Sequence, residues 1–167
     1  MYREYAINKP AALKGYPLHR MVVGLVGGAP ALFADEGSVL LIRTSKSLSE
    51  DFRAISTIEE GKMSAFSLRA CISKKRKGKH IYFPLSDWRA RHAWLTEQGK
   101  LHGFDVLTVH SSSGMTNIDA GTRSFRVDQT DFTGILRVVD QALFDGSLVK
   151  GIGSTAKTFG FGMLIIE

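Results

Sequence analysis

Runs of strand-like segments with few helices between them predict an α+β fold for this chain. The helical patterns lie near the beginning, the middle and the end of the sequence, so helices and strands do not alternate as in a doubly wound sheet. Apolar residues make up 44% of the 167 residues, which is enough to bury a core. We therefore expect one medium globular domain or two small domains packed together.

The first half is predicted to begin with a strand at residues 2–7, followed by a loop and a buried helix. Pro17 suits the first position of that helix because the proline ring fixes a helical φ. Apolar residues occupy nearly all sides of the helix up to about Val26, and Gly27 and Gly28 end it. Further strands are predicted at residues 38–44, 52–56 and 63–73.

The second half begins with a run of basic residues and continues as a longer helix. Ser86 and Asp87 are typical helix-capping residues, and they predict a helix over residues 88–100. A strand at 104–109 is followed by a serine-rich loop or wide hairpin at 111–114. The remaining predicted elements are strands at 122–128 and 131–138, an amphipathic helix at 139–149, a glycine-rich loop at 151–162 and a last strand at 163–166.

Two ferredoxin-like (RRM-like) units, each with the order β-α-β-β-α-β, explain most of this element order. The first unit would occupy residues 1–73, and it lacks a second helix unless residues 47–52 or 57–61 form a helical turn. A basic linker at 74–85 would join it to the second unit at 86–167, which contains the C-terminal glycine-rich loop. A cleft between the two units is expected.

The charge of the chain favours a polyanionic partner. There are 22 lysines and arginines against 16 aspartates and glutamates, and the pI is near 9.6. Such a charge favours nucleic acid first and anionic membrane surfaces second. The apolar run at 21–31 is too short to span a bilayer, which takes about 20 apolar residues, so we expect no membrane partner.

Cysteine and histidine usage narrows the class of protein. Cys71 is the one cysteine, which excludes a disulfide within the chain and fits a cytoplasmic location. The five histidines show no paired ligand spacing. We therefore expect neither a metal nor a cofactor.

The glycine-rich loop is the most informative segment for function. Glycines let backbone amides approach a phosphate closely, and Lys157 adds a positive charge. The sequence GIGSTAKT is close to a nucleotide-binding phosphate loop, but Ala156 replaces the glycine before the lysine. Such a loop also has to follow a strand and open a helix, whereas a helix is predicted before it here. The sequence therefore disfavours a nucleotide hydrolase.

The same loop resembles the C-terminal signature of the repeat-associated RNA-binding (RAMP) superfamily of CRISPR systems. The positions that match in register are Gly151, Gly153, Lys157, Gly160 and Gly162. Three further segments are similar to the CasE kind, the guide-RNA-processing endoribonuclease of type I-E systems. They are residues 16–19 (YPLH), residues 66–70 (FSLRA) with the basic run after them, and residues 93–95 (AWL). The second segment lacks the family's proline after Arg-Ala, and Ile72-Ser73 stand there.

Tyr16 and His19 are the predicted catalytic residues. If Pro17 is the first helical residue, Tyr16 is the cap and His19 lies in the first turn, so the two side chains are neighbours. The positive end of the helix favours a neutral imidazole and offers free N–H groups to an anion. The resemblance implies an acid/base role for His19, a supporting role for Tyr16, and metal-independent cleavage that leaves a 2′,3′-cyclic phosphate. For a lone histidine beside an apolar run, a half-buried structural role is the alternative.

The RNA-binding surface is predicted from charge and from the loop. Predicted contacts are Arg69, Lys74, Lys75, Arg76, Lys77, Lys79, Gly151, Gly153, Lys157, Gly160 and Gly162. The basic run could also be a solvated loop. The resemblance implies a CRISPR repeat hairpin (crRNA) as ligand and the subunits of a Cascade-like complex as partners. A non-catalytic RNA-binding relative and a small basic RNA-binding protein without a CRISPR link are the alternatives.

Overall fold

The computed structural model describes the backbone of residues 1–167 and the side chains of all of them except Lys74 and Lys75. Two four-stranded antiparallel sheets and a small two-stranded hairpin are combined with three α-helices. The predicted α+β class and the tandem ferredoxin-like arrangement are confirmed. No helix in the described chain is long and apolar enough to cross a bilayer.

The first unit is a ferredoxin-like sheet without its second helix. Its elements are β1 (Arg3–Asn8), α1 (Gly15–Val26), β2 (Ala31–Asp35), β3 (Val39–Thr44) and β4 (Phe52–Arg53). The strand order is β2-β3-β1-β4, and every neighbouring pair is antiparallel. The described backbone at residues 45–62 contains no helix, so neither of the suggested helical turns forms.

Helix α1 begins earlier than the proline suggests. The residue before it, Lys14, is extended, and the helix starts at Gly15, whose φ is 62°. This left-handed turn brings Gly15 against the backbone of Asp119, where a Cβ would lie 3.1 Å from the carbonyl oxygen. Tyr16 therefore lies within the helix rather than at its cap. The helix ends at Gly27 as expected.

The second unit has the complete ferredoxin-like order. Its elements are β5 (Met63–Ala70), β6 (Lys74–Arg76), β7 (Lys79–Ile81), α2 (Trp88–His102), β8 (Phe104–Asp119), β9 (Ser124–Val138), α3 (Gln141–Lys150) and β10 (Leu164–Ile166). The sheet order is β10-β5-β9-β8, and β6 and β7 form a separate hairpin between β5 and α2.

The sheet pairing moves the division between the units away from residue 73. Strand β5 pairs with β9 and β10, so it is the first strand of the second sheet rather than part of the first unit. Phe66 and Leu68 on β5 pack in one core cluster with Leu95 and Phe144, which explains the pairing. Residues 74–85 are therefore an insertion within the second unit rather than a linker between units.

Strands β8 and β9 form one long hairpin where the sequence suggested shorter pieces. The predicted loop at 111–114 lies inside β8, and the two predicted strands at 122–128 and 131–138 are both part of β9. The polar residues of 111–114 lack apolar alternation, yet their backbone groups pair with β9, as at Ser111 opposite Phe132. The chain reverses at residues 120–123.

A buried arginine joins the two units. The Arg43 guanidinium on β3 donates from Nε to Glu4 Oε2 at 2.7 Å. Its Nη1 donates to the carbonyls of Leu148 on α3 at 3.0 Å and of Leu164 on β10 at 2.7 Å. Burial lowers the Arg43 pKa, and the adjacent Glu4 charge opposes that shift. The two sheets are thus held in one fixed arrangement.

Candidate active site

Tyr16 and His19 lie side by side near the start of α1. Their ring centroids are 6.0 Å apart. Tyr16 is 37% exposed and His19 is half-buried, so both rings can be reached from solvent. The buried face of the helix, formed by Leu18, Val22 and Val26, fixes their orientation.

The glycine-rich loop of the second unit reaches this pair. A short 3-10 turn, Lys157–Phe159, brings the Phe159 ring within 6.0 Å of the His19 ring. Phe159 is half-buried, and Phe161 is buried. His19 therefore has Tyr16 from its own helix on one side and an aromatic residue from the other unit beside it.

Close backbone packing holds the base of the loop. The Ile152 N–H donates to the Gly162 carbonyl at 2.7 Å, and the Gly162 N–H donates to the Arg69 carbonyl at 2.7 Å. Gly162 has a φ of 89°, and a Cβ there would lie 2.6 Å from the Ile152 carbonyl oxygen. Glycine is needed at this position because any side chain would collide with backbone.

Lys157 turns back toward α3. Its Nζ donates to the Lys150 carbonyl at 2.9 Å, one of the free carbonyls at the end of that helix. Burial lowers the pKa of the Lys157 ammonium. In this arrangement Lys157 stabilises the fold of the loop, and its contact with a phosphate stays a prediction.

Arg69 lies in the cleft between the two sheets. Its Nε donates to Asp131 Oδ1 at 2.8 Å, and its Nη1 donates to the Asp35 carbonyl of the first unit at 3.0 Å. It lines a cavity of about 200 Å³ together with Lys14, Asn117 and Phe159. The cavity opens beside the start of α1, so Arg69 is close to the candidate site even though its donors have protein partners.

A buried lysine supports the loop that leads into α1. The Lys9 ammonium pairs with Asp35 Oδ1 at 3.0 Å and donates to the Leu13 carbonyl at 3.0 Å. Its side chain is 0% exposed. Residue patterning does not predict this role, because a lone lysine in a loop is usually solvated.

The predicted basic linker is a β-hairpin with exposed cations. Arg76, Lys77 and Lys79 are all exposed at its end, and Lys77 adopts a φ of 49° in the turn. Lys74 and Lys75 were also predicted to bind RNA, but their side chains lie outside the described part of the chain. Arg76, Lys77 and Lys79 therefore form one basic tip at the end of the hairpin.

The β8–β9 turn brings Phe125, with Arg123 next to it, to the glycine-rich loop. The Phe125 ring lies 5.7 Å from Phe159, and the Arg123 guanidinium lies 5.8 Å from the Phe125 centroid. Arg123 and Arg126 are exposed. The sequence predicts a loop at 111–114, which is in fact the middle of β8. For this reason it does not predict the long hairpin whose turn at 120–123 places these residues near the glycine-rich loop.

The comparisons with known proteins identify the family. The family model described as CRISPR associated protein matches residues 31–167, a range that leaves out Tyr16 and His19. No curated protein matches the chain.

Solved structures extend the likeness to nearly the whole chain. CRISPR endoribonuclease Cse3 bound to 19 nt RNA is 21% identical, covers 99% of this chain and 97% of its own, and gives a TM-score of 0.80. Thermus thermophilus Cse3 bound to an RNA representing a pre-cleavage complex is 20% identical to this chain. The match covers 99% of this chain and 98% of that one, with a TM-score of 0.81. Cas6e from Escherichia coli K-12 is 23% identical to this chain. The match covers 99% of this chain and 98% of that one, with a TM-score of 0.74. The shared fold and the family match agree, and the chain belongs to the CRISPR-associated protein family.

Proposed function

We propose that this protein is an endoribonuclease that binds a CRISPR repeat hairpin and cuts the precursor of the guide RNA. The observation that carries the proposal is the accessible Tyr16–His19 pair, with ring centroids 6.0 Å apart and the glycine-rich loop beside it. The similar Cse3 chain is described as an endoribonuclease bound to RNA. Membership of a CRISPR-associated family disfavours a basic RNA-binding protein without a CRISPR link.

The chemistry requires one base and one acid. The base removes the proton from the 2′-hydroxyl, whose oxygen attacks the adjacent phosphorus. The bond from phosphorus to the 5′-oxygen breaks, and the acid gives a proton to that oxygen. The products are a 2′,3′-cyclic phosphate and a 5′-hydroxyl. We assign acid/base work to His19 and a supporting role to Tyr16, and either ring could act on either side of the phosphate.

The start of α1 is suited to hold the phosphate between these rings. Among the described side chains, none caps the helix, and the first turn carries no acidic residue. Its free N–H groups and the helix dipole favour an anion there. Positive charge near this end comes from exposed Lys14, directly before the helix, and from exposed Arg20 in its second turn.

The second unit would supply most of the RNA contacts. A-form stems are recognised through shape and backbone, which suits the projecting tip with Arg76, Lys77 and Lys79. The predicted contacts Gly151, Gly160 and Gly162 are buried, and their N–H groups donate to protein carbonyls, so they shape the loop rather than contact RNA. We propose Arg69, Lys74, Lys75, Gly153 and Lys157 as further contacts. Phosphate neutralisation by these cations would dominate affinity.

The protein is further proposed to keep its product as a subunit of a multisubunit complex in the cytoplasm. A similar chain, 17% identical with a TM-score of 0.75, comes from a CRISPR RNA-guided surveillance complex. Copurification of the cut repeat RNA with the protein from its host would support this part of the proposal.

Incubation of the purified protein with the host's own repeat RNA in EDTA tests the proposal. We expect one cut, a 3′ fragment whose 5′-hydroxyl a polynucleotide kinase labels directly, and no cut in RNA with a 2′-deoxy nucleotide before the scissile phosphate. Tight binding of the repeat without cleavage under any condition would instead indicate a binding-only relative.

A further inference from the structure

Ser73 joins the two segments that are assigned to RNA. Its Oγ lies 2.9 Å from His80 Nδ1 on β7 and 3.1 Å from Thr155 Oγ1 in the glycine-rich loop. One hydroxyl therefore connects the base of the basic hairpin with a loop that is distant in sequence. We refer to Ser73, His80 and Thr155 as the hydroxyl latch.

The latch can form whether or not His80 Nδ1 carries a proton. When Nδ1 carries no proton, the Ser73 hydroxyl donates to Nδ1 and accepts from the Thr155 hydroxyl. When Nδ1 carries a proton, it donates to Ser73 Oγ, and the serine then donates to Thr155. A hydroxyl is both donor and acceptor, so it connects the two partners in both states.

Ser73 is a fixed point from which the hairpin projects. The preceding residue, Ile72, is 0% exposed and belongs to the main core cluster. On the other side of the hairpin, Arg91 Nη2 donates to the Phe83 carbonyl at 3.0 Å. Beyond these points each strand has three residues. A two-stranded hairpin of that size is marginal alone, so its direction depends on contacts at its base.

We propose that Ser73 is a positioning residue, which holds the basic hairpin at a set angle to the glycine-rich loop so that both contact one RNA stem. This inference rests on the proposed RNA ligand.

A double-mutant cycle on repeat-hairpin affinity tests the latch. Ser73→Ala should weaken binding about two- to tenfold, the range expected for one hydrogen bond. Ser73→Thr, which keeps a hydroxyl, should restore the affinity. Thr155→Val should match Ser73→Ala, and the pair of changes together should cost no more than either one.

The same Ser73→Ala change is then measured in a protein whose hairpin tip has lost its positive charges through Arg76→Ala, Lys77→Ala and Lys79→Ala. In that background Ser73→Ala should have no further effect, because the cations that it positions are gone. The matched control is Ser64→Ala, since Ser64 Oγ donates to the Glu167 carbonyl at 2.8 Å near the start of β5, at the opposite end of that strand from the hairpin. It should leave affinity unchanged.

Unchanged affinity in Ser73→Ala overturns the latch, and so does an equal loss in both backgrounds, which would indicate a general effect on folding. Failure of the unsubstituted protein to bind any repeat hairpin contradicts the proposed function itself. The two failures are thus distinguished by the behaviour of the unsubstituted protein.

Discussion

The two units share one strand order but differ in what surrounds their sheets. The first unit has no second helix in its described backbone, and its edge strand β4 has two residues. The second unit keeps both helices and adds a hairpin after β5 and a long loop after α3. The candidate catalytic pair lies on the first unit, whereas most of the proposed RNA contacts lie on the second.

This division means that the site depends on how the units are packed. Phe159 from the second unit lies beside His19 of the first. Arg69 and Arg43 each donate across the boundary between the sheets. Chemistry and binding should therefore be separable by substitution, although both need the same packing.

Replacing His19 should give the largest effect and should separate the two roles. We expect His19→Ala to lower single-turnover cleavage by about 10²–10⁴-fold, the usual contribution of a positioned acid or base. Affinity for the repeat hairpin should stay within about twofold, because the contacts on the second unit remain. Gel-resolved cleavage with enzyme in excess, together with a filter-binding titration, measures both.

The control for that substitution is His110→Ala. His110 is exposed on β8 of the second unit. Its loss should leave the cleavage rate unchanged. Full activity in His19→Ala would show that His19 is neither the acid nor the base of the reaction.

The sequence predicted those features that depend on neighbours along the chain. Helix α1, its end at Gly27 and the Tyr16–His19 spacing follow from local apolar periodicity and glycine placement. Local pattern alone places β5 in the first unit, because its true partners β9 and β10 lie far along the chain. The polar middle of β8 and the contact of His19 with Phe159 depend on distant pairing in the same way.

Substitution of Lys9 tests whether buried charge supports the first unit. Lys9→Met keeps the length of the side chain but leaves Asp35 without its cation. Removing one partner of a buried ion pair costs about 3–5 kcal/mol, and the 17% exposure of Asp35 favours the lower end. Urea denaturation followed by circular dichroism gives the free energy of unfolding.

An exposed pair provides the comparison for Lys9. Lys100 binds Glu97 at 2.7 Å, and both side chains are more than half exposed. Lys100→Met should change the free energy of unfolding by less than about 1 kcal/mol. Equal effects of the two substitutions would show that the Lys9 pair contributes nothing beyond a surface contact.

Smaller effects than at Lys9 are expected at two glycines of the second unit, where Gly162→Ala in the glycine-rich loop and Gly114→Ala in β8 should have opposite signs. At Gly162 the φ is 89° and a Cβ would lie 2.6 Å from the Ile152 carbonyl oxygen, so alanine should cost about 1–3 kcal/mol. At Gly114, within β8, no atom lies within 4 Å of the position of a Cβ. Alanine there should stabilise the strand by about 0.5–1 kcal/mol, because it removes the conformational freedom of glycine in the unfolded chain. Thermal unfolding of both variants measures the difference, and a Gly162→Ala protein as stable as the parent would show that the base of the loop is not packed as described.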